Sequence, residues 1–180
     1  MPIRSAYPDD FPDLEALLRR AYAPVLDAMN PEYALNFCSA ISKMVGQYGE
    51  KGTWFVAESG GRLSGCVAFF APRSIEHHLF HESWAHVQLL GVDPDYTRRG
   101  VGKDLMRHCM SAARSAGASV FALQTSALMG PARKLYESLG FVAERSTEPA
   151  FGHPAFLYIR SESQPSDDAA PGFSALECKR

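Results

Sequence analysis

The sequence encodes an α/β domain built on a mixed sheet, and two patterns say so. Between Val87 and Gly140 the chain runs apolar strand, basic glycine loop, amphipathic helix, second apolar strand, short helix. A helix joining two strands in this way sets them side by side and parallel, through a right-handed crossover. Ahead of that unit, Thr53-Trp54-Phe55-Val56-Ala57 and the run from Leu63 to Ala71 flank Ser59-Gly60-Gly61-Arg62. Two apolar runs about a glycine turn make an antiparallel hairpin.

Composition bounds the possibilities. A chain of 180 residues suits one domain, or one domain and a tail, and its 46% apolar content supports a packed core. The formal net charge of −2 provides no general basic surface, so neither nucleic acid nor membrane is an expected partner. Cys38, Cys66, Cys109 and Cys178 form no C-x-x-C pair and no zinc-type spacing with histidine. They read as free thiols in a reducing compartment. Met1-Pro2-Ile3-Arg4 lacks an apolar signal core, and no apolar run reaches the ~20 residues of a membrane span. A cytoplasmic location is expected.

The elements follow in order. Ile3 to Ala6 reads as a short strand, and Asp9 or Asp10 starts a helix whose stripe is Leu14, Leu17, Leu18 and Ala21. Pro24 and Pro31 bracket a looser segment, and a second helix runs from Glu32 to about Tyr48. After the hairpin, the stretch from Pro72 to Trp84 carries His77, His78 and His81 without the H-E-x-x-H arrangement, so it reads as a solvated loop and not a metal site.

A strand from Trp84 to Val92 comes next. Alternation sets Ala85, Val87 and Leu89 toward the core, and Trp84, His86, Gln88 and Leu90 toward a cleft. Gly91 is the expected bulge. A helix from Gly102 stops at Gly117, and Val120 to Thr125 is the parallel neighbour. Pro131 opens the last helix, and Phe141-Val142-Ala143 and Phe156 to Ile159 are the final strands. Residues 1–160 form the expected domain, and 161–180 a polar, mobile tail.

The glycine loop carries the chemistry. Gly100 and Gly102 let backbone approach a ligand closely, at a helix start whose N–H groups point outward. Arg98, Arg99 and Lys103 add cationic groups suited to phosphate. The third glycine of the dinucleotide fingerprint is missing, and so is the G-x-x-x-x-G-K-[ST] pattern.

Leu90-Gly91-Val92-Asp93-Pro94 through Arg99-Gly100-Val101-Gly102, followed by Ala132-x-x-x-Tyr136 and Gly140-Phe141, resembles the cofactor signature of the GCN5-related N-acetyltransferase (GNAT) family. The resemblance covers roughly residues 3 to 160. It implies a mixed, mostly antiparallel sheet with a central, splayed parallel strand pair flanked by helices. It further implies acetyl-CoA as acyl donor and a primary amine of a small molecule or peptide as acceptor. Homodimers are common in that family, so a homodimer is an available assembly.

The same resemblance assigns roles. Leu90, Gly91 and Val92 meet the pantetheine arm, and Thr97, Arg98, Arg99, Gly100, Val101, Gly102 and Lys103 the pyrophosphate. Thr97 stands where the family usually has Gln or Arg. Met129 stands where it often has Asn, and Arg133 follows in the same set. Tyr136 is the candidate acid for the leaving thiolate, since a phenol with a pKa near ~10 can return a proton to a thiolate near ~8.5. His86 is the candidate base. Tyr22, Met29, Tyr33, Trp84 and Gln88 are candidates for the acceptor walls. Two other readings stay open at this point: a module that binds acetyl-CoA without transferring it, and a metal protein built on the histidine loop.

Overall fold

The computed structural model describes residues 1–150 and 152–162. Its sheet has seven strands in the order β1-β2-β3-β4-β5-β7-β6. These are β1 (Ile3–Ser5), β2 (Thr53–Ser59), β3 (Arg62–Phe70), β4 (Ala85–Val92), β5 (Val120–Ser126), β6 (Val142–Ala150) and β7 (His153–Ser161). Four helices pack on it: α1 (Phe11–Leu26), α2 (Pro31–Lys51), α3 (Val101–Ser115) and α4 (Gly130–Ser138). Among the described residues only β4 and β5 are parallel; every other pair, the expected hairpin β2–β3 included, is antiparallel.

Strand alternation divides the core in two. Trp54, Val56, Cys66, Ala68 and Phe70 point toward α1 and α2, meeting Leu14, Leu18 and Ile41. Phe55, Val67, Phe69, Phe121 and Leu123 point the other way, toward Leu105, Met106 and Cys109 of α3. Helical spacing puts Val101, Leu105, Cys109 and Ala113 on one buried stripe. A Cβ on Gly65 of β3 would lie 2.7 Å from Val101 Cγ1 and 3.0 Å from Leu105 Cδ1, so this glycine sets how closely α3 sits on the sheet. Cys66 and Cys109 are free and buried, and burial pushes both thiols up. Among the described residues, no helix is long and apolar enough to cross a membrane.

Three local departures from the sequence reading have physical causes. The segment between Pro24 and Pro31 is loose only in its second part, because α1 continues through Pro24 to Leu26. Pro24 is exposed, so the Arg20 carbonyl that loses its helical donor faces water. The bulge lies at Leu89–Leu90 and not at Gly91. Cys66 pairs with Gly91 and Ala68 with Gln88, which leaves Val67 opposite two residues. Leu89 accommodates the extra residue with φ +52°, a left-handed conformation that costs a branched side chain ~1–3 kcal/mol. Gly91 serves α1 instead, since a Cβ there would lie 3.2–3.4 Å from Leu17, Leu18 and Ala21.

The third departure is at the end of β7. Ser161 pairs with Val120, and Glu162 is only 4% exposed, its carboxylate accepting from Arg114 Nη1 at 3.0 Å and from Arg160. The folded part therefore takes in the first two residues of the expected tail. Residues 163–180 lie outside the described residues.

Candidate active site

The parallel pairing of β4 with β5 is short. Ala85, His86 and Val87 meet Phe121, Ala122 and Leu123, and there the pairing ends. Beyond it the bulge turns Leu90 toward the α3 side and Leu89 toward the α1–α2 side, the reverse of simple alternation. Both strands then present unpaired edges to each other, and a cavity of about 180 Å³ opens between them.

Val87 to Leu90 and Leu123 to Ser126 form its floor, and Tyr22, Phe37, Met44 and Tyr48 of the first two helices one wall. Met129 and Tyr136 close another side, with Ala150 of β6 and with His77 and Phe80 of the loop before β4. Leu79 and Phe80 are buried, so that loop is anchored on the sheet and not simply solvated. Among the described residues, no group of three or more His, Cys, Asp or Glu is placed to hold a metal ion.

Tyr136 sits where α4 crosses the open strand pair. It is 6% exposed, and no hydrogen bond reaches its hydroxyl among the described residues. Burial pushes the phenol up, so it stays protonated at neutral pH and keeps a proton to give. Tyr22 is raised in the same way, and its hydroxyl donates to the Leu90 carbonyl at 3.4 Å. The Tyr48 hydroxyl donates to Gln88 Oε1 at 2.7 Å, which leaves the Gln88 amide N–H groups for a ligand. Gln124 donates to Thr147 Oγ1 at 2.8 Å. Thr125 is 3% exposed, and its hydroxyl has no partner among the described residues.

His86 is not on the cavity wall. It is 2% exposed and stacked between Phe70, at 4.7 Å between ring centres, and Phe80, at 4.2 Å. Its Nε2 has no hydrogen-bond partner among the described residues. Burial, with the neighbouring His77 adding to it, pushes the imidazole down to about 3. The histidine that reaches the cavity is His77, whose Nδ1 accepts the Leu79 N–H at 3.2 Å. In the neutral ring that bond leaves the proton on Nε2, so His77 is a donor there.

Other expected acceptor residues lie elsewhere. Met29 is buried after α1, Tyr33 rests against Gly152 of the β6–β7 turn, and Trp84 packs beside Leu79 and Phe80. None of the three lines the cavity, whereas Tyr22 and Gln88 do. Sequence reasoning passed over Tyr48, Gln124 and Thr125, and it set the loop from His77 to Trp84 at the acceptor without giving His77 a role. Each lies in a stretch that reads as ordinary helix, loop or strand, and only the parting of β4 from β5 brings them together.

The basic loop stands next to this opening. Asp93 ends β4, and its carboxylate accepts Arg20 Nε and Nη2 at 3.0 and 2.8 Å and the Asp95 N–H at 3.1 Å. Burial alone would raise that carboxyl, but these bonds outweigh it and hold it below the usual range. Arg98 has φ +59° and Gly100 φ +86°, so the chain reverses twice before α3. Gly100 caps α3 without a side-chain bond to the first turn, leaving those N–H groups available to a ligand. A Cβ on Gly102 would lie 3.3 Å from Leu135 and 3.4 Å from Val92, so α3, α4 and β4 converge there.

Arg98 and Lys103 are exposed, and the Arg99 guanidinium lies over the Tyr96 ring at 5.3 Å. Thr97 bonds locally, its hydroxyl donating to the Pro94 carbonyl at 3.0 Å. Arg133 is half-buried and tied to β7: it donates to the Tyr158 hydroxyl at 3.1 Å, which donates to Glu137 at 2.9 Å. Its guanidinium lies over Phe156 at 5.0 Å, on the β7 side and not at the loop.

A family model described as the acetyltransferase (GNAT) family matches residues 11–141, nearly three quarters of the chain. The chain belongs to the GNAT acetyltransferase family. Human N-acetyltransferase 8 is 29% identical over 133 residues, covering 73% of this chain and 54% of the human protein. The [ribosomal protein bS18]-alanine N-acetyltransferase of Escherichia coli K12 is 40% identical over 52 residues, 29% of this chain and 35% of that one. The chain thus spans about half the length of the first relative and about a third of the second.

Among solved structures, the E. coli ribosomal-protein-S18-alanine N-acetyltransferase superposes with a TM-score of 0.69 at 21% identity, covering 93% of this chain and 97% of that one. At that identity the likeness is one of fold.

Proposed function

We propose that this GNAT protein is an acetyl-CoA-dependent N-acetyltransferase that moves an acetyl group directly to a primary amine. The observation that carries this reading is the Tyr136 hydroxyl, protonated and without a partner among the described residues, at a cavity that opens where β4 leaves β5. The edge of β4 from Gln88 to Val92 lies free for an extended, amide-bearing arm. The uncapped first turn of α3, with Arg98, Arg99 and Lys103 around it, suits a pyrophosphate.

The chemistry balances with these parts. The amine nitrogen attacks the thioester carbon, and N–H groups on the β4 edge stabilise the oxyanion. The carbon–nitrogen bond stays and the carbon–sulfur bond breaks. The thiolate takes one proton from Tyr136, the amine loses one, and Tyr136 regains its proton from solvent before the next turnover. His86, neutral at pH 7 and stacked behind Phe80, stands apart from that nitrogen, so the amine's proton passes to solvent. Orientation supplies much of the rate.

The test is thiol release from acetyl-CoA across a panel of primary amines, with wild type beside Tyr136→Phe. Release with one amine class, and a kcat reduced by about 10- to 100-fold in the variant with the KM for acetyl-CoA little changed, is the expected outcome. Tight acetyl-CoA binding with no release for any amine would favour the non-catalytic, cofactor-binding reading.

A further inference from the structure

Resting on the transferase reading of this cavity, we propose that its acceptor is a primary amine carried on an uncharged, largely apolar body. Polyamines and amino acids with a free carboxylate are the poorer acceptors. The argument lies in what the walls lack. Among the described residues, no Asp, Glu, Lys or Arg lines the cavity. Its walls are aromatic rings and thioethers: Tyr22, Phe37, Tyr48, Phe80, Met44 and Met129.

Its polar atoms are neutral as well, amides on Gln88 and Gln124 and hydroxyls on Thr125 and Ser126. Burial, with His78 beside it, pushes the His77 imidazole down, so that ring is neutral at pH 7 too. Charge begins only beyond His77 and Phe80. These two are shared with an adjoining open hollow, where Arg73, Glu76, His78 and Glu82 stand.

A second ammonium brought into such a cavity would leave water without a counter-charge, and a carboxylate would do the same without an arginine or lysine. One amine is different. It reacts as the free base, and before that the ring faces can hold its cation. The Thr125 hydroxyl, buried with no partner among the described residues, and the free Gln88 amide N–H groups suit a neutral carbonyl next to that amine. The N-terminal residue of a peptide offers such a carbonyl; a simple arylalkylamine fills the apolar walls without it. In either case the products are the acetamide and free CoA thiol, with one proton moving from nitrogen to sulfur overall.

The experiment measures kcat/KM with acetyl-CoA for 2-phenylethylamine, phenylalanine amide, phenylalanine and spermidine. Calorimetry of each amine with CoA-loaded enzyme reads their binding independently of turnover. We expect the first two to lead the last two by at least tenfold in both measurements. Phenylalanine or spermidine in front, or four equal values, overturns the proposal. A tetrapeptide amide beginning with phenylalanine separates the sources: rates above that of 2-phenylethylamine indicate a peptide N-terminus, and rates below it a free amine.

If none of them turns over, the transferase reading fails, and the calorimetric ranking then decides only which class of amine the cavity binds, with phenylalanine or spermidine in front overturning the proposal. Met44→Glu adds a carboxylate to the wall and is expected to shift preference toward spermidine by about tenfold, whereas Met44→Gln keeps the original order. A folded Met44→Glu variant with unchanged order overturns the proposal.

Discussion

His86 shows how burial moves a residue out of the pH range of its ordinary chemistry. Its pKa falls from the ordinary 6.5 to about 3 in the fold. The unfolded chain therefore binds more protons between those values, and stability rises with pH across that window. The contribution is fully present above about pH 6.5 and is lost as the pH falls toward 3. Acidification from pH 7 to pH 5 is expected to cost about 2 kcal/mol through this ring alone. Urea unfolding of wild type and His86→Leu at both pH values checks it; the variant should lose most of that dependence. Tyr136 belongs to the same scale, as the side chain whose loss should lower turnover and leave the fold intact. Its position could be seen in the sequence because it lies in a motif, four residues after Ala132 and four before Gly140. Thr125 could not be seen, since a threonine in an apolar strand says nothing until its neighbour strand departs.

Elements were easier to read than side chains, for reasons of periodicity. The stripe of α3, the β2–β3 hairpin and the β4–α3–β5 crossover repeat a pattern over many residues, so each could be placed from the sequence. A bulge is a single event with no period, which is why the break in β4 was assigned to Gly91, the residue with the obvious freedom, when Leu89 takes the left-handed turn. Tyr33, Met29 and Trp84 lie off the cavity for a related reason: nearness along the chain to the cleft is not nearness in space. The packing of α3 on the sheet gives a test at this scale. Gly65→Ala puts a methyl group against Val101 and Leu105 and is expected to destabilise by about 1–3 kcal/mol, read from the urea midpoint. Acetyl-CoA affinity should fall with it, because Val101 opens the helix whose first turn is assigned to the pyrophosphate.

For the molecule as a whole, the chain ends of the sheet are secured away from the cavity. Glu162 bonds the Ser119 carbonyl through its N–H and two arginines through its carboxylate, at the start of β5, whereas the cavity lies at the end of that strand. Glu162→Ala leaves Arg114 and Arg160 unpaired and is expected to cost about 1–3 kcal/mol. The parting of β4 from β5 begins beside one extra residue opposite Val67. Deleting Leu89 would make that count even, so the two strands could zip along their full length. The expected product melts cooperatively, gains sheet by circular dichroism and no longer binds acetyl-CoA. Folding and catalysis in this architecture would then differ by a single codon: the regular sheet is the inert version of the enzyme, and the active one is held a residue out of step.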